Sequence, residues 1–274
     1  MNTDTVEPTL AARHRAMWAA GDYPAIVADV VAPLGPVLVE ATGIAAGDRV
    51  LDVAAGTGSV AIPAALTGAS VIASDLTPEL LVAGRAVAEQ RGATLRWREA
   101  DAEHLPFADG EFDVVVSSIG VMFAPHHQAA ADELVRVCRQ GGRIGVISWT
   151  PTGFIGQMFA TMKPYVAAPP PGVSPPPLWG DEDHLRTLLG DRVDVTARRA
   201  ELAVTHFPTG AAFRDYFKAN YGPTITAYRN IAGDPERVAA LDAELADLGD
   251  RALAGSAATP TMQWEYLLVS GRKR

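Results

Sequence analysis

The chain has a single cysteine, Cys138. One thiol can form no intrachain disulfide and cannot supply a thiolate-rich zinc site. Cations are also scarce: 23 Lys and Arg stand against 32 Asp and Glu, a net charge of −9. That balance argues against a general nucleic-acid binder, which needs a basic surface to neutralise phosphates. No apolar run approaches the roughly 18 residues of a membrane span, so no stable membrane insertion is expected. Met1 to Pro8 carries two acidic side chains and no apolar stretch. It does not read as a signal peptide, and a soluble cytoplasmic protein is expected. No His/Cys cluster has metal-ligand spacing, so no metal is expected. A Gly-x-Ser-x-Gly nucleophile elbow is absent too.

What is present suits a sizeable core: 48% hydrophobic and 20% charged residues over 274 positions, as in ordinary globular chains. The first 46 residues read as helices. Leu10, His14, Met17 and Trp18 share one helical face, Gly21 supplies a stop, and Asp22 can cap the next short helix. From Arg49 the texture changes to strand-length apolar runs alternating with helical segments. Strands are expected at Arg49 to Ala54, Ser70 to Ser74, Leu95 to Arg98, Phe112 to Ser117 and Arg143 to Trp149. Helices are expected at Gly58 to Leu66, at Thr77 to Gln90 with Thr77 as its cap and Pro78 at its first position, and at His127 to Arg139. Cys138, at helical spacing from Leu134, reads as a small buried apolar residue. Such alternation implies a doubly wound, mostly parallel α/β sheet. Pro164 to Gly180 contains seven prolines and reads as a rigid connection. Val193 to Thr205 reads as a strand, Phe207 to Gly255 as mainly helical, with Val238, Leu241, Leu245 and Leu248 as one apolar stripe of a helix opened by Asp234, Pro235 and Glu236, and Trp264 to Val269 as a last strand. A helical cap inserted before the last strand of a seven-stranded sheet is the expected arrangement.

The segment Val50-Leu51-Asp52-Val53-Ala54-Ala55-Gly56-Thr57-Gly58-Ser59-Val60-Ala61 is a buried strand, a glycine turn and a helix start. Glycines let a ligand approach the backbone, and the helix start offers unpaired N–H groups. Asp75 ends the next strand, where a carboxylate can accept both hydroxyls of a ribose. An adenosine-type cofactor is indicated. The glycines alone also fit a loose dinucleotide fingerprint. Three features favour S-adenosylmethionine instead. Asp52 before the turn suits an ammonium group and not a pyrophosphate. Asp101-Ala102-Glu103 follows the third strand, where a carboxylate could meet an adenine amino group. The β-α units are too few for a dinucleotide domain plus a catalytic one.

Taken in order, these elements resemble the core of class I S-adenosylmethionine-dependent methyltransferases, in particular the ubiquinone/menaquinone-biosynthesis type that acts on small molecules. The resemblance is carried by Leu51 to Gly58, Ser74 to Thr77, Asp101 to Phe107, Phe112 to Ser117, and Leu134 to Arg139 with Gly141-Gly142-Arg143. It implies one methyltransferase domain over 1–274: a helical lid over 1–46, a cofactor-binding core over 47–150, a Pro-rich connection and cap over 151–192, a strand over 193–206, a helical insertion over 207–260, and the last strand and tail over 261–274. It also implies roles. Asp52 and the backbone of Ala54, Gly56, Thr57 and Gly58 would hold the methionine part. Asp75 would bind the ribose and Leu76 pack on adenine. Asp101, Ala102 and Glu103 would face the adenine edge, and Ser117 and Ser118 lie beneath the sulfonium. Trp18 and Tyr23 look like the aromatic residues of an N-terminal lid. Ala54 and Ala55 stand where many relatives have glycine, which calls for an unstrained backbone there.

Methyl transfer is an in-line displacement, so the protein mainly supplies alignment and water exclusion. A base is needed only for a protonated acceptor. His126, or its neighbour His127, is the candidate, just after the fourth strand. Phe123, Trp149, Phe154, Trp179, Phe217 and Tyr221 are candidates to line an acceptor pocket suited to a flat or lipophilic molecule. Ser117-Ser118-Ile119-Gly120 lacks the Asn-Pro-Pro-Tyr signature of many DNA and protein-amide methyltransferases, which favours a small-molecule acceptor. A monomer or homodimer is expected. Two other classes stay open: a non-catalytic protein that keeps the cofactor pocket, and a nicotinamide-dependent oxidoreductase.

Overall fold

The computed structural model describes residues 9–256 and 259–274. Its centre is one twisted sheet. Strands β1 (Arg49–Val53), β2 (Ser70–Asp75), β3 (Arg96–Glu99), β4 (Phe112–Ser118) and β5 (Cys138–Trp149) run parallel. β6 (Val193–Val204) and β8 (Thr259–Lys273) complete the order β3-β2-β1-β4-β5-β8-β6, with β8 antiparallel to both neighbours. The short β7 (Ala254–Ser256) pairs only with β8. β1, β2 and β4 are almost wholly buried, as apolar strands covered on both faces must be. Their order reverses between β1 and β4, which opens a crevice at the carboxyl ends of these strands.

The helices follow from local signals. α1 (Leu10–Ala19) is capped by the Thr9 hydroxyl, and α2 (Tyr23–Ile26) by Asp22, which accepts from the Ala25 N–H at 3.1 Å. A π-helical turn over Val27–Val31 follows. α3 (Leu34–Thr42) ends on left-handed Gly43. α4 (Ala61–Leu66), α5 (Pro78–Gln90) and α6 (His127–Val137) are the crossovers. α7 (Phe154–Met162) and α8 (Glu182–Leu189) flank the Pro-rich segment. α9 (Gly210–Asn220), α10 (Gly222–Ile231) and α11 (Pro235–Ala252) form the cap. α11 buries Leu241, Leu245 and Leu248, three of the four residues of the expected stripe.

Four local expectations are corrected. α4 begins at Ala61 instead of Gly58, because the glycine turn occupies the intervening residues. Cys138 is buried as expected but heads β5; α6 stops at Val137 and passes straight into the strand. The Thr77 side chain makes no cap bond to α5. The Pro-rich segment is more than a connection. It ends in a 3-10 turn, Pro176–Gly180, that plants a fully buried Trp179 in the core. Gly180 sits so close that a Cβ there would lie 2.1 Å from the Trp149 carbonyl oxygen.

Two close contacts position the site. The lid docks on the cap: the Asp22 N–H donates to the Asn220 carbonyl at 2.9 Å, and the Gly222 N–H donates to the Tyr23 hydroxyl at 3.2 Å. At the crevice, Gly120 lies against the turn after β1; a Cβ on it would stand 2.1 Å from the Ala54 carbonyl oxygen. Ala54 itself has φ 53°, and Ile119 φ 66°. The unstrained backbone expected at Ala54 is therefore not what the fold adopts. Left-handed backbone costs an L-residue roughly 1–2 kcal/mol.

Two substitutions test this crowding. Ala54→Gly should relieve the strain and, after the entropy it adds to the unfolded chain, leave the protein about 0.5–1 kcal/mol more stable. Gly120→Ala should lose about 1–3 kcal/mol by overpacking. Urea denaturation midpoints measure both, and a destabilised Ala54→Gly would contradict the strained turn.

Candidate active site

One cavity lies over the crevice, beneath the lid and the cap. From the strand ends it is lined by Ala54, Ala55, Gly56, Thr57 and Ser59, by Asp75 and Leu76, by Ala100, Asp101 and Ala102, and by Ser118, Ile119 and Gly120. From the lid come His14, Trp18, Tyr23, Ile26, Val27 and Val31. The far side consists of Phe123, Trp149, Ile155, Met158, Phe217, Tyr221 and Trp264. Residues from the two ends of the sequence thus share one wall.

The turn after β1 is held from below. Asp75 accepts from the Gly56 N–H and the Thr77 N–H, both at 2.8 Å. It therefore ties the glycine turn to the end of β2 while its carboxylate stays on the cavity wall. Burial raises its pKa, against these bonds. Gly56 has φ 55°, and a Cβ there would meet no protein atom within 4 Å. A side chain at this position would take up ligand space. Gly58 differs: its Cβ would lie 2.8 Å from the Trp97 ring, so this glycine serves packing between the turn and β3.

Asp52, contrary to expectation, does not reach the cavity wall. It is 1% exposed and lies under the turn, where Oδ2 accepts from the Ala61 N–H at 2.9 Å and so caps α4. Its Oδ1 is buried without a partner. Burial pushes this carboxyl up to about 8; the Ala61 bond opposes the shift and the Asp75 charge adds to it. A buried acid with an orphan oxygen, below a turn open for ligand, is the setting in which a cationic ligand overhead would be stabilised.

Several other expected residues are displaced. Ser117 is fully buried; its hydroxyl donates to the Val53 carbonyl at 2.6 Å and accepts from the Val121 N–H at 3.0 Å, which welds β4 to β1. Ser118 remains on the wall. Glu103 turns away and accepts from the His126 N–H at 2.6 Å and faces His126 Nδ1 at 2.9 Å. His126 itself is half exposed and off the wall. It is placed as a surface partner of Glu103, not as a base at the acceptor. His127 is buried against His184, with 3.0 Å between Nδ1 and Nε2, and burial holds its pKa down at about 4. Trp179 packs on His127 at 5.7 Å and is core, not pocket. Phe154 stacks on Trp264 and is core as well. Trp18, Tyr23, Phe123, Trp149, Phe217 and Tyr221 do reach the cavity. Trp18 meets Phe123 edge-on at 4.6 Å and Tyr221 at 6.4 Å, which makes an aromatic roof.

Residues that the sequence left unassigned also face the cavity. His14 is one. Burial lowers its pKa, while Glu103 and Asp101 pull the other way. Its signal was a histidine one turn before Trp18 on an otherwise apolar helix face. Ile119, Met158 and Trp264 carried no such signal. Among the described residues no group of His, Cys, Asp and Glu could hold a metal, and no single helix is long and apolar enough to cross a membrane.

The Asp52 environment sets a pH dependence. Its folded pKa lies above the unfolded carboxylate value of roughly 4, so the native state keeps a proton that the unfolded chain releases. Stability contributed by this group is lost as pH rises from about 4 to about 8. Asp52→Asn removes that titration and keeps an oxygen for the Ala61 N–H. In urea denaturation at pH 5 to 8, the variant should gain on the wild type by about 1 kcal/mol per pH unit. Parallel pH profiles would rule the assignment out.

Comparison with known proteins agrees with this geometry. Residues 51–146 match the family described as methyltransferase domain. An uncharacterized protein of Mycobacterium tuberculosis is 55% identical over 98% of this chain and 97% of its own length. A demethylmenaquinone methyltransferase of Thermus thermophilus is 41% identical over 105 residues, 38% of this chain and 48% of that protein. The YcgJ protein of Bacillus subtilis superposes with a TM-score of 0.58 at 17% identity, covering 87% of this chain and 97% of the other. A geranyl diphosphate methyltransferase solved with S-adenosylmethionine does so with 0.53 at 16% identity, covering 89% and 85%. The glycine turn, the acid at the end of β2 and the reversed strand order thus sit in a chain that carries a methyltransferase domain and shares the fold of class I S-adenosylmethionine-dependent methyltransferases.

Proposed function

We propose that the protein transfers a methyl group from S-adenosylmethionine to a small, uncharged and largely apolar acceptor, held between the strand ends and the helical cap. One observation carries this reading: the cavity wall is divided by polarity. Its carboxylates, Asp75 and Asp101, come from the ends of β2 and β3. Its far side, Phe123, Trp149, Ile155, Met158, Phe217, Tyr221 and Trp264, has no charged group.

When bound, S-adenosylmethionine supplies a methyl group that is already electrophilic. The chain's own residues do the rest. The backbone from Ala54 to Thr57 would hold the methionine part, above the buried Asp52. Asp75 would accept from the ribose, Leu76 would pack on the adenine, and Asp101 and the Ala102 backbone would meet its edge. Trp18 and Tyr23 close the roof and exclude water, which strengthens alignment for an in-line displacement. His14, the imidazole on the wall, sits by Asp101 at the cofactor end. The acceptor side therefore supplies no base, which suits an acceptor whose reacting atom is already nucleophilic or bears an acidic hydroxyl.

Tyr221 is the positioning residue in this scheme. Burial raises its pKa, so the hydroxyl stays neutral. A tyrosine hydroxyl on an otherwise apolar cavity wall is suited to meet a ligand oxygen. A diphosphate ester, after which one structural neighbour is named, would need cations, and no Lys or Arg lines this wall. The match to demethylmenaquinone methyltransferases covers less than half of the chain, so it does not carry their acceptor over. The single cysteine, buried and unpaired, suits a reducing compartment such as the cytoplasm. We read 1–274 as one catalytic domain, active as a monomer or homodimer.

Saturating S-adenosylhomocysteine should raise the melting temperature by about 5 °C, and Asp75→Ala should abolish the shift. With labelled cofactor, methyl transfer should favour neutral aromatic hydroxyl compounds over charged amines. Tyr221→Phe should raise KM for such an acceptor by about five- to tenfold and leave the thermal shift unchanged. No shift at millimolar ligand would overturn cofactor binding. A shift without transfer to any acceptor would favour a non-catalytic role. Turnover confined to charged amines would overturn the apolar acceptor.

A further inference from the structure

Two described non-glycine residues, Ala54 and Ile119, hold a left-handed backbone. For a β-branched residue this region is a genuine outlier. Such outliers persist where the surroundings enforce them, and they gather at functional sites.

Two backbone features pin the turn at Ile119. Its N–H donates to the Ile147 carbonyl at 2.7 Å, which ties the loop after β4 to β5. The next residue, Gly120, lies against the Ala54 carbonyl with no room for a Cβ. These contacts require a left-handed turn and say nothing about the side chain. Glycine or asparagine would meet the same requirement with less strain. Burial offsets the strain only in part, because Ile119 packs against the edge of the core but is half-buried and lines the cavity. In the free protein the branched side chain thus loses backbone preference without the full gain of a core position.

We propose that Ile119 is a specificity-determining residue of the acceptor site, its branched side chain forming the surface on which the acceptor's carbon skeleton packs. This rests on the apolar-acceptor reading above. A bound acceptor would complete the burial that the free protein leaves unfinished.

The test uses the full chain saturated with S-adenosylhomocysteine and 2-naphthol as a neutral aromatic probe, with Kd from isothermal titration calorimetry. Ile119→Gly relieves the backbone and removes the side chain. Ile119→Ala keeps the left-handed cost and removes only the outer carbons, so it guards against a folding defect in the first variant. Both should bind 2-naphthol about fivefold more weakly or worse, with the S-adenosylhomocysteine thermal shift unchanged and Ile119→Gly at least as resistant to urea as the wild type. Unchanged 2-naphthol affinity in both variants would overturn the role of Ile119 and leave the apolar acceptor standing. Loss of the thermal shift would place Ile119 on the cofactor side and overturn it too. A wild type that does not bind 2-naphthol would overturn the apolar acceptor and the role of Ile119 together.

Discussion

The site depends on one close approach, between the turn after β1 and the loop after β4. Gly120 rests on the Ala54 carbonyl at a distance that tolerates no side chain. Both loops must then leave their strands by a left-handed step, at Ala54 and at Ile119. That step turns the chain away from the sheet on either side of the reversal in strand order and leaves the crevice open. Ser117 reinforces it by bonding the Val53 carbonyl across the two strands. A looser junction would let the loops relax over the strand ends and fill the space that a ligand needs.

The carboxylates around the crevice divide their work between structure and binding. Asp52 and Asp75 are both buried, and both spend an oxygen on backbone N–H groups of the glycine turn and the helix start. Each such bond fixes a loop that cannot fix itself, since glycine carries the largest backbone entropy. Desolvation is the cost, and it appears as raised pKa values in both. A cationic ligand would lower that cost by favouring the ionised forms. The same groups that preorganise the turn therefore also bias it toward a positively charged ligand, with no Lys or Arg among the described residues that line the cavity.

Local patterns explain how much of this could be read from the sequence. The strands around Asp52, Asp75 and Asp101 and the glycine turn lie within one stretch of chain, and their spacing alone predicts the sheet and its ligand edge. Trp18 and Tyr23 were legible through their resemblance to the aromatic residues of a lid, and Tyr221 as an aromatic candidate for the pocket wall; all three line the cavity. Direction was not legible. Asp52 and Ser117 lie in strands, where one residue's shift changes the face, and each turned out to secure a neighbouring element. Trp179 has the aromatic character of a pocket residue, yet the 3-10 turn drives it inward. His126 and His14 illustrate the same limit. The first was near the site in sequence and points to Glu103; the second is remote in sequence and sits on the wall.

The proposed acceptor side was the least legible because it has no segment of its own. Its wall takes residues from the loop after β4, β5, α7, α9 and the antiparallel β8. None of these carries a motif, since apolar contact is non-directional and many residues satisfy it. The cofactor side is different: hydrogen bonds to a fixed ligand demand particular groups at particular strand ends. A fold of this kind can therefore hold its cofactor residues in a short, recognisable stretch while its acceptor changes through scattered substitutions in the cap. Ile119 joins the two regimes. Its backbone belongs to the junction that shapes the crevice, and its side chain lies on the cavity wall where we propose that the acceptor packs.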